Sequence, residues 1–300
     1  MNRRRFLFST SAAAAALWIP RLPAASPGAE GTFTELRRGV GLYTNGGGTM
    51  GWMIRPDAVA VIDSQFREQA TEFVAEFKTR SSRKMDLFIN THHHRDHTGG
   101  NGVLVPLSAV TVAHENSRLW QERSAVERNT ESEQVYPETT FSTEWSMDLG
   151  DEVVRANYYG PAHTSGDAVV HFERADVVHM GDLVFNRYPC FIDSDSGASI
   201  AGWITLLENV HGKFTDETVF IFGHGNPEYG VSGTRADLLV MRDFLSGLLE
   251  YARGKMAEGL AEDQVAETVR LPAFPEHYSD GWKNGVSNAL RKAYQELTPD

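Results

Sequence analysis

The chain has 300 residues, 41% of them apolar and 23% charged, which is enough to bury a full core and too balanced for a disordered or fibrous protein. Its formal net charge of −12 argues against nucleic acid as a partner, because such binding depends on neutralising phosphates with Lys and Arg. A single cysteine, Cys190, rules out an intramolecular disulfide.

Residues 1–25 are unlike the rest. Arg3, Arg4 and Arg5 lead into Phe6-Leu7, an alanine run with Leu17-Trp18-Ile19 follows, and Leu22-Pro23-Ala24-Ala25 ends the segment. A charged start, an apolar centre too short for an ordinary membrane anchor and small residues at the end predict a cleavable export signal. The Arg-Arg-x-Phe-Leu order makes it the twin-arginine type, and the expected location is the bacterial periplasm, with no stable membrane insertion once the leader is removed. Removal takes away four arginines and no acids, leaving 24 basic against 40 acidic residues, a charge of about −16. A Ser/Pro/Gly spacer over residues 26–31 then leads into a single domain, residues 32–300, whose last part, 234–300, reads as helical.

Within that domain short β-rich runs alternate with amphipathic helices. Residues 36–43, 51–54 and 58–62 read as strands, with Gly46-Gly47-Gly48 as the clearest break. Residues 66–80 read as a helix because Phe66, Ala70, Phe73, Val74 and Phe77 share one face. Strands are predicted at 85–90 and 108–113, a helix at 115–127 and a loop at 133–143. Strand-rich sequence resumes over 145–159, 167–172 and 175–179. A helix at 200–211, a strand at 218–222, a long helix at 234–256 and helices at 261–269 and 282–297 complete the chain. Two strand-rich halves, each accompanied by helices, predict an α/β fold of two sheets packed face to face with helices outside.

The candidate chemistry gathers at strand ends. Directly after the strand at 85–90 comes Thr91-His92-His93-His94-Arg95-Asp96-His97-Thr98-Gly99-Gly100. In extended backbone His92 and His94 point the same way, so both can hold one metal ion. Asp96 and His97, on the following turn, are displaced toward a second ion, and Gly99-Gly100 permit the tight backbone that such a turn needs. Three further segments place donors at strand ends: Pro161-Ala162-His163-Thr164, His179-Met180-Gly181-Asp182 and Phe222-Gly223-His224-Gly225. Imidazole with carboxylate and no thiolate suits zinc, with iron and manganese also compatible.

Taken together, His-x-His-x-Asp-His followed by a histidine, an aspartate and a final histidine resembles the metallo-β-lactamase superfamily over residues 40–230. The resemblance implies a four-layer αβ/βα sandwich with two Zn2+ per chain in a cleft at one edge. Carried over, it assigns His92, His94 and His163 to the first ion, Asp96, His97 and His224 to the second, and Asp182 to a bridge between them. Asp63, at the end of the strand at 58–62, is then expected to brace the ligand loop by hydrogen bonds. The implied reaction is hydrolysis of a small-molecule ester, thioester, lactone or lactam by a metal-activated hydroxide that Asp96 orients.

Departures narrow the resemblance. Asp182 stands where the β-lactamases proper usually carry Cys or Ser, so the donor set is closer to that of glyoxalase II, the lactonases and the phosphodiesterases. Phe185 stands where quorum-quenching lactonases carry a tyrosine. The same scaffold also admits a single-iron enzyme similar to the persulfide dioxygenases, and a non-catalytic metal-binding protein. His93, Asn186 and Asp193 are candidates for the substrate cleft. His114, His171, His179, His211 and His277 lack partner motifs and read as structural or exposed, and Cys190 reads as core packing. The apolar face of the helix at 234–256 fits a core-covering role by default, and no oligomeric state is legible.

Overall fold

The computed structural model describes residues 31–298, so the predicted leader and all but the last residue of the spacer lie outside the described residues. Four antiparallel strands open the first sheet: β1 (Thr32–Arg37), β2 (Val40–Thr44), β3 (Met50–Ile54) and β4 (Val59–Ile62). Helix α1 (Arg67–Arg80) carries the chain back, so that β5 (Met85–Asn90) pairs parallel with β4. Two single-turn helices, α2 (Arg95–Thr98) and α3 (Asn101–Leu104), precede β6 (Ser108–His114); α4 (Glu115–Arg128) precedes β7 (Thr139–Phe141), and both strands extend the parallel part.

The second half of the chain runs β8 (Glu144–Asp148), β9 (Val153–Tyr158), β10 (Ala168–Phe172), β11 (Val177–His179), β12 (Phe185–Asn186), α5 (Ile200–Lys213), β13 (Val219–Ile221), β14 (His224–Gly225) and β15 (Ser232–Gly233). Helices α6 (Arg235–Ala257), α7 (Glu262–Val265) and α8 (Gly285–Leu297) follow. Six of these strands form the second sheet in the order β15-β13-β11-β10-β9-β8, while β12 and β14 make a separate parallel pair.

Period-two alternation builds the layers. Ala60, Ile62, Leu87 and Ile89 point into one cluster with Ala156, Val170, Phe172 and Ile221 of the other sheet. The intervening Val59, Val61 and Phe88 point outward, against Phe73 and Phe77 of α1. On the far side Val178 and Phe220 meet Trp203 of α5, Phe244 of α6 and Leu290 of α8. Helix, sheet, sheet and helix are therefore the four layers of an αβ/βα sandwich, and the apolar face of α6 is spent on its core. The parallel strands β4 and β5 of one sheet, and β11 and β13 of the other, end at a common edge, where the loops meet.

Three expectations need correction. Residues 36–43 are not one strand: Arg38 and Gly39 take left-handed conformations (φ 52° and 70°) and fold β1 onto β2, while the Arg55 side chain bonds the Arg38 carbonyl at 2.8 Å. The strand-rich stretch at 145–159 holds β8 and β9, joined by a turn at Gly150 (φ 80°), as expected. The expected loop at 133–143 contains β7, a sheet-edge strand whose exposed Thr139 and Thr140 carry no apolar signal. The helix expected at 261–269 is only Glu262–Val265, because Val265 is its one buried residue and no apolar face continues it.

Buried Glu152, between β8 and β9, accepts the backbone N–H groups of Val153, Arg174 and Ala175 at 2.7–3.0 Å and the Arg55 guanidinium at 3.1 Å, tying the edges of the two sheets together. Glu152→Ala leaves three backbone donors without their acceptor and removes one of the two carboxylates beside mostly buried Arg55, so urea unfolding should show a stability loss of about 2–4 kcal/mol. A loss under about 1 kcal/mol would contradict this role.

His277 lies fully buried against Phe244, ring on ring with centroids 4.1 Å apart. Burial, reinforced by the positive charge of Arg187, pushes its pKa down to about 3. Folding therefore favours the neutral ring, so this contribution to stability is complete above the ordinary value of 6.5 and drains away as pH falls toward 3. Between those limits it is worth about 1.4 kcal/mol per pH unit. Denaturant titrations from pH 7 to pH 5 should show a shallower pH dependence for His277→Phe than for the parent chain; equal slopes would refute the assignment.

Candidate metal centre

At the end of β4 the chain turns sharply through Asp63, a buried residue in the left-handed region (φ 64°). That conformation costs an L-residue about 1–2 kcal/mol and is held here by its contacts. The Asp63 carboxylate accepts the Thr91 N–H and hydroxyl, both at 2.7 Å, and the His97 Nδ1–H at 2.8 Å. A buried polar network lies beneath: Asn101 donates to the Asn90 side chain (2.8 Å) and accepts from the Ser64 hydroxyl (2.9 Å), fixing the loop that leaves β5.

That loop carries His92 in a bend and His94 in extended backbone, and His94 is the N-cap residue of α2, which presents Asp96 and His97. His163 sits in the β9–β10 loop, where Asp167 accepts the Thr164 N–H and hydroxyl and so shapes the turn. Asp182 follows Gly181 (φ 51°) after β11, and His224 begins β14. Two glycines make room for the donors: a Cβ at Gly48 would overlap the His97 ring, and one at Gly223 would overlap the Asp182 carboxylate.

All seven donors converge. His92, His94, His163 and Asp182 form one group, and Asp96, His97, Asp182 and His224 form a second, with Asp182 common to both. In the first, His94 Nδ1 lies 3.1 Å from His92 Nε2 and 2.9 Å from His163 Nε2. In the second, His97 Nε2 is 2.9 Å from Asp182 Oδ1, and His224 Nε2 is 3.1 Å from Asp96 Oδ2 and 3.3 Å from Asp182 Oδ2.

Proton accounting shows that these contacts are not ordinary hydrogen bonds. His163 Nδ1–H is given to the Phe191 carbonyl (2.8 Å), and His94 Nε2–H to the Asp193 carboxylate (2.9 Å). The Thr91 hydroxyl proton goes to Asp63, so His92 Nδ1–H is the donor in the 3.0 Å contact with that hydroxyl oxygen. Each ring thus turns a lone pair toward the same point, and three acceptors about 3 Å apart repel unless a cation lies among them. The spacing is close to the roughly 3.3 Å edge of a tetrahedron with metal–nitrogen bonds of about 2.0–2.1 Å. His97 Nε2 and Asp182 Oδ1 are likewise buried without a hydrogen-bond partner among the described residues. The residues fit divalent metal ions.

The electrostatics agree. Burial and neighbouring imidazoles hold His92 well below the ordinary histidine range and push His163 down to about 3, so both keep neutral, ligand-ready rings. Burial opposes charge on His97 and His224 too, yet there the carboxylates win: Asp182, Asp96 and Asp63 raise His97, and Asp182 and Asp96 raise His224 to about 10. Positive charge is what the second group demands. Asp182 and Asp96 are held below the usual carboxylate range, because the imidazoles outweigh the burial that would raise them.

The candidate cleft residues are placed differently. Asn186 is buried and spends its side chain on the Tyr229 and Gly230 carbonyls (3.2 and 2.9 Å) and on Arg187 (2.6 Å), so it shapes the β14–β15 loop instead of facing substrate. Asp193 and His93 bond each other at 3.1 Å. Phe185 is buried and stacks on His224 with centroids 5.2 Å apart. Burial pushes the Cys190 thiol up to about 12, which removes it as ligand or nucleophile. Among the other histidines, His179 is buried and bonds the Thr49 carbonyl at 3.1 Å, and none of His114, His171, His211 and His277 joins a donor group among the described residues. Sequence reasoning missed the Phe191 carbonyl, since a backbone acceptor has no residue signature, and the clearance at Gly48, whose only trace is the Gly46-Gly47-Gly48 run. A cavity of about 370 Å³ opens beside His224, bounded by Thr44, Asn45, Tyr188 and Ser279.

Comparison with known proteins fits this geometry. The sequence pattern of the metallo-beta-lactamase superfamily matches residues 44–224. The chain is 24% identical over 174 residues to the metallo-beta-lactamase type 2 of Elizabethkingia meningoseptica, covering 58% of this chain and 67% of that protein. It is 22% identical over 286 residues to a linear primary-alkylsulfatase from a Pseudomonas species, covering 80% of this chain and 54% of that one. Among solved structures, a metallo-beta-lactamase from Pontibacter korlensis superposes with a TM-score of 0.60 at 18% identity, over 72% of this chain and 99% of that one. A stereoselective inverting sec-alkylsulfatase from a Pseudomonas species gives 0.70 at 15% identity, over 88% of this chain and 50% of that one. The chain thus spans about half the length of the alkylsulfatases it resembles. With the family pattern running through more than half of its length, this hydrolase belongs to the metallo-beta-lactamase superfamily.

Proposed function

We propose that the chain is a dinuclear zinc hydrolase in which His92, His94 and His163 hold one ion, Asp96, His97 and His224 hold the other, and Asp182 serves both. The observation that carries this reading is the membership of Asp182 in two donor groups, its Oδ1 toward His97 and its Oδ2 toward His92, His163 and His224. When bound, such ions polarise a substrate oxygen and lower the pKa of water toward about 7. The donor set favours zinc, being imidazole and carboxylate without thiolate.

The chain's own residues do the positioning. Asp96 is 28% exposed, more open than any other donor, and we assign it to orient the attacking water. Asp63 holds His97 with its Nε2 turned inward. Phe191, 44% exposed beside His94, offers an apolar rim to the substrate, which suits an organic ester, thioester, lactone or lactam. A sulfate ester is the second reading, supported by the longer structural overlap with the alkylsulfatase than with the β-lactamase. The leader-like residues 1–25 and the acidic composition support export to the periplasm and a small-molecule substrate without nucleic acid. Among the described residues no helix is long and apolar enough to cross a membrane.

The purified protein should carry two zinc ions per chain and turn over at least one carbonyl class in a panel of esters, thioesters, lactones, lactams and alkyl sulfates. Turnover of alkyl sulfates alone would select the second reading, and no turnover by metal-loaded protein would remove the catalytic one. His94→Ala should lose metal and slow the reaction by roughly a hundredfold or more. Unchanged metal content and rate in that variant would refute the ligand assignment.

A further inference from the structure

The loop between β12 and α5 touches two ligand candidates of the first donor group. The Phe191 carbonyl accepts His163 Nδ1–H, and the Asp193 backbone N–H donates to the His163 carbonyl at 3.3 Å. Two residues along, the Asp193 carboxylate accepts His94 Nε2–H on Oδ2 at 2.9 Å, and His93 Nε2 lies 3.1 Å from the same oxygen. The carboxylate is itself fixed: Ser196 N–H reaches its Oδ1 at 3.3 Å, and its backbone carbonyl accepts from Ala198 N–H and the Ser196 hydroxyl at 3.0 and 3.1 Å. Among the described residues its only ionic partners are those two histidines.

We infer that Asp193 is a positioning residue that selects the ring orientation of His94, and through it the affinity of the first metal site, with His93 holding the carboxylate in place. The inference rests on the proposed ligand role of His94. The need for such a partner follows from exposure. The rings of His92 and His163 are held by close packing, their side chains being 1% and 0% exposed, and by hydrogen bonds to Thr91 and the Phe191 carbonyl, whereas that of His94 is 18% exposed and relies on the Asp193 carboxylate. A ring flip exchanges Nδ1 for carbon at the point where the three lone pairs meet. The hydrogen bond from Nε2–H to a fixed carboxylate blocks the flip and makes the inward nitrogen a stronger donor. It also gives His93, in the variable place of the motif, a task that involves no substrate.

The test is metal affinity, measured on the whole chain by competition with a chelator, alongside cobalt substitution and melting of the metal-free protein. In Asp193→Ala one ion should bind about 10–100-fold more weakly while the other stays within about twofold, with changed cobalt d–d bands and metal-free melting unaltered. Asp193→Asn, which keeps an acceptor oxygen without the charge, should fall between Asp193→Ala and the parent. If Asp193→Ala matches the parent in both affinities, or weakens both equally while lowering metal-free melting, Asp193 is only a loop cap and the inference is overturned. Should the parent bind a single ion, the dinuclear reading fails by itself, and the inference is still decided by whether Asp193→Ala weakens that ion.

Discussion

Everything at this sheet edge answers one electrostatic constraint: imidazole lone pairs and carboxylates are aimed at each other from about 3 Å inside a buried pocket. Without positive charge among them, the repulsion of like acceptors adds to the cost of burying anions. The surrounding hydrogen bonds do not relieve that conflict but create it. Thr91, the Phe191 carbonyl and Asp193 each take the outer ring proton of one histidine of the first group and thereby commit its inner nitrogen to be a lone pair, while Asp63 orients His97. The protein therefore stores part of its folding energy as readiness for divalent cations.

The fold makes this tolerable by sharing the donors between its two halves. His92, His94, Asp96 and His97 follow β5 of the first sheet, whereas His163, Asp182 and His224 follow strands of the second. No single loop has to hold all the charge, and the apolar cluster between the sheets keeps the two sets in register. Backbone bridges close the seam: Thr49 N–H reaches the Gly223 carbonyl at 2.9 Å, and Ala168 N–H reaches the Thr91 carbonyl at 2.8 Å. The left-handed Asp63 is a local cost accepted for the same end, because only that turn brings one carboxylate to both Thr91 and His97.

Much of this is legible in sequence because it is periodic. Alternation in β4 and β5 separates Ile62 and Ile89 from Val61 and Phe88, and His92 and His94 follow directly after β5. What escapes is set by backbone or by contact between distant segments. The β1–β2 turn hides in residues 36–43 because Arg38, a poor turn residue by type, takes positive φ next to Gly39. β7 hides because an exposed edge strand of threonines has no apolar phase. Asn186 looks like a cleft residue from its place after Asp182, yet its amide answers carbonyls more than forty positions away. Asp193 and His94 are ninety-nine positions apart, and no spacing rule joins them.

The relatives differ in the substrates their names carry, β-lactams in one case and alkyl sulfates in the other, while sharing the fold. The shared fold alone therefore does not select the bond attacked. In this chain the cavity beside His224 has two kinds of wall. Thr44, Asn45 and Tyr188 belong to the span that matches the family, but Ser279 and Gly281 lie beyond residue 224, in the segment that Tyr188 joins through its 3.3 Å contact with the Ser279 hydroxyl. The family pattern therefore covers the donors and only part of the wall of this cavity. The remaining wall comes from a C-terminal segment tied into the α6 core through His277, so the shape of this cavity depends on packing remote from the donor cluster.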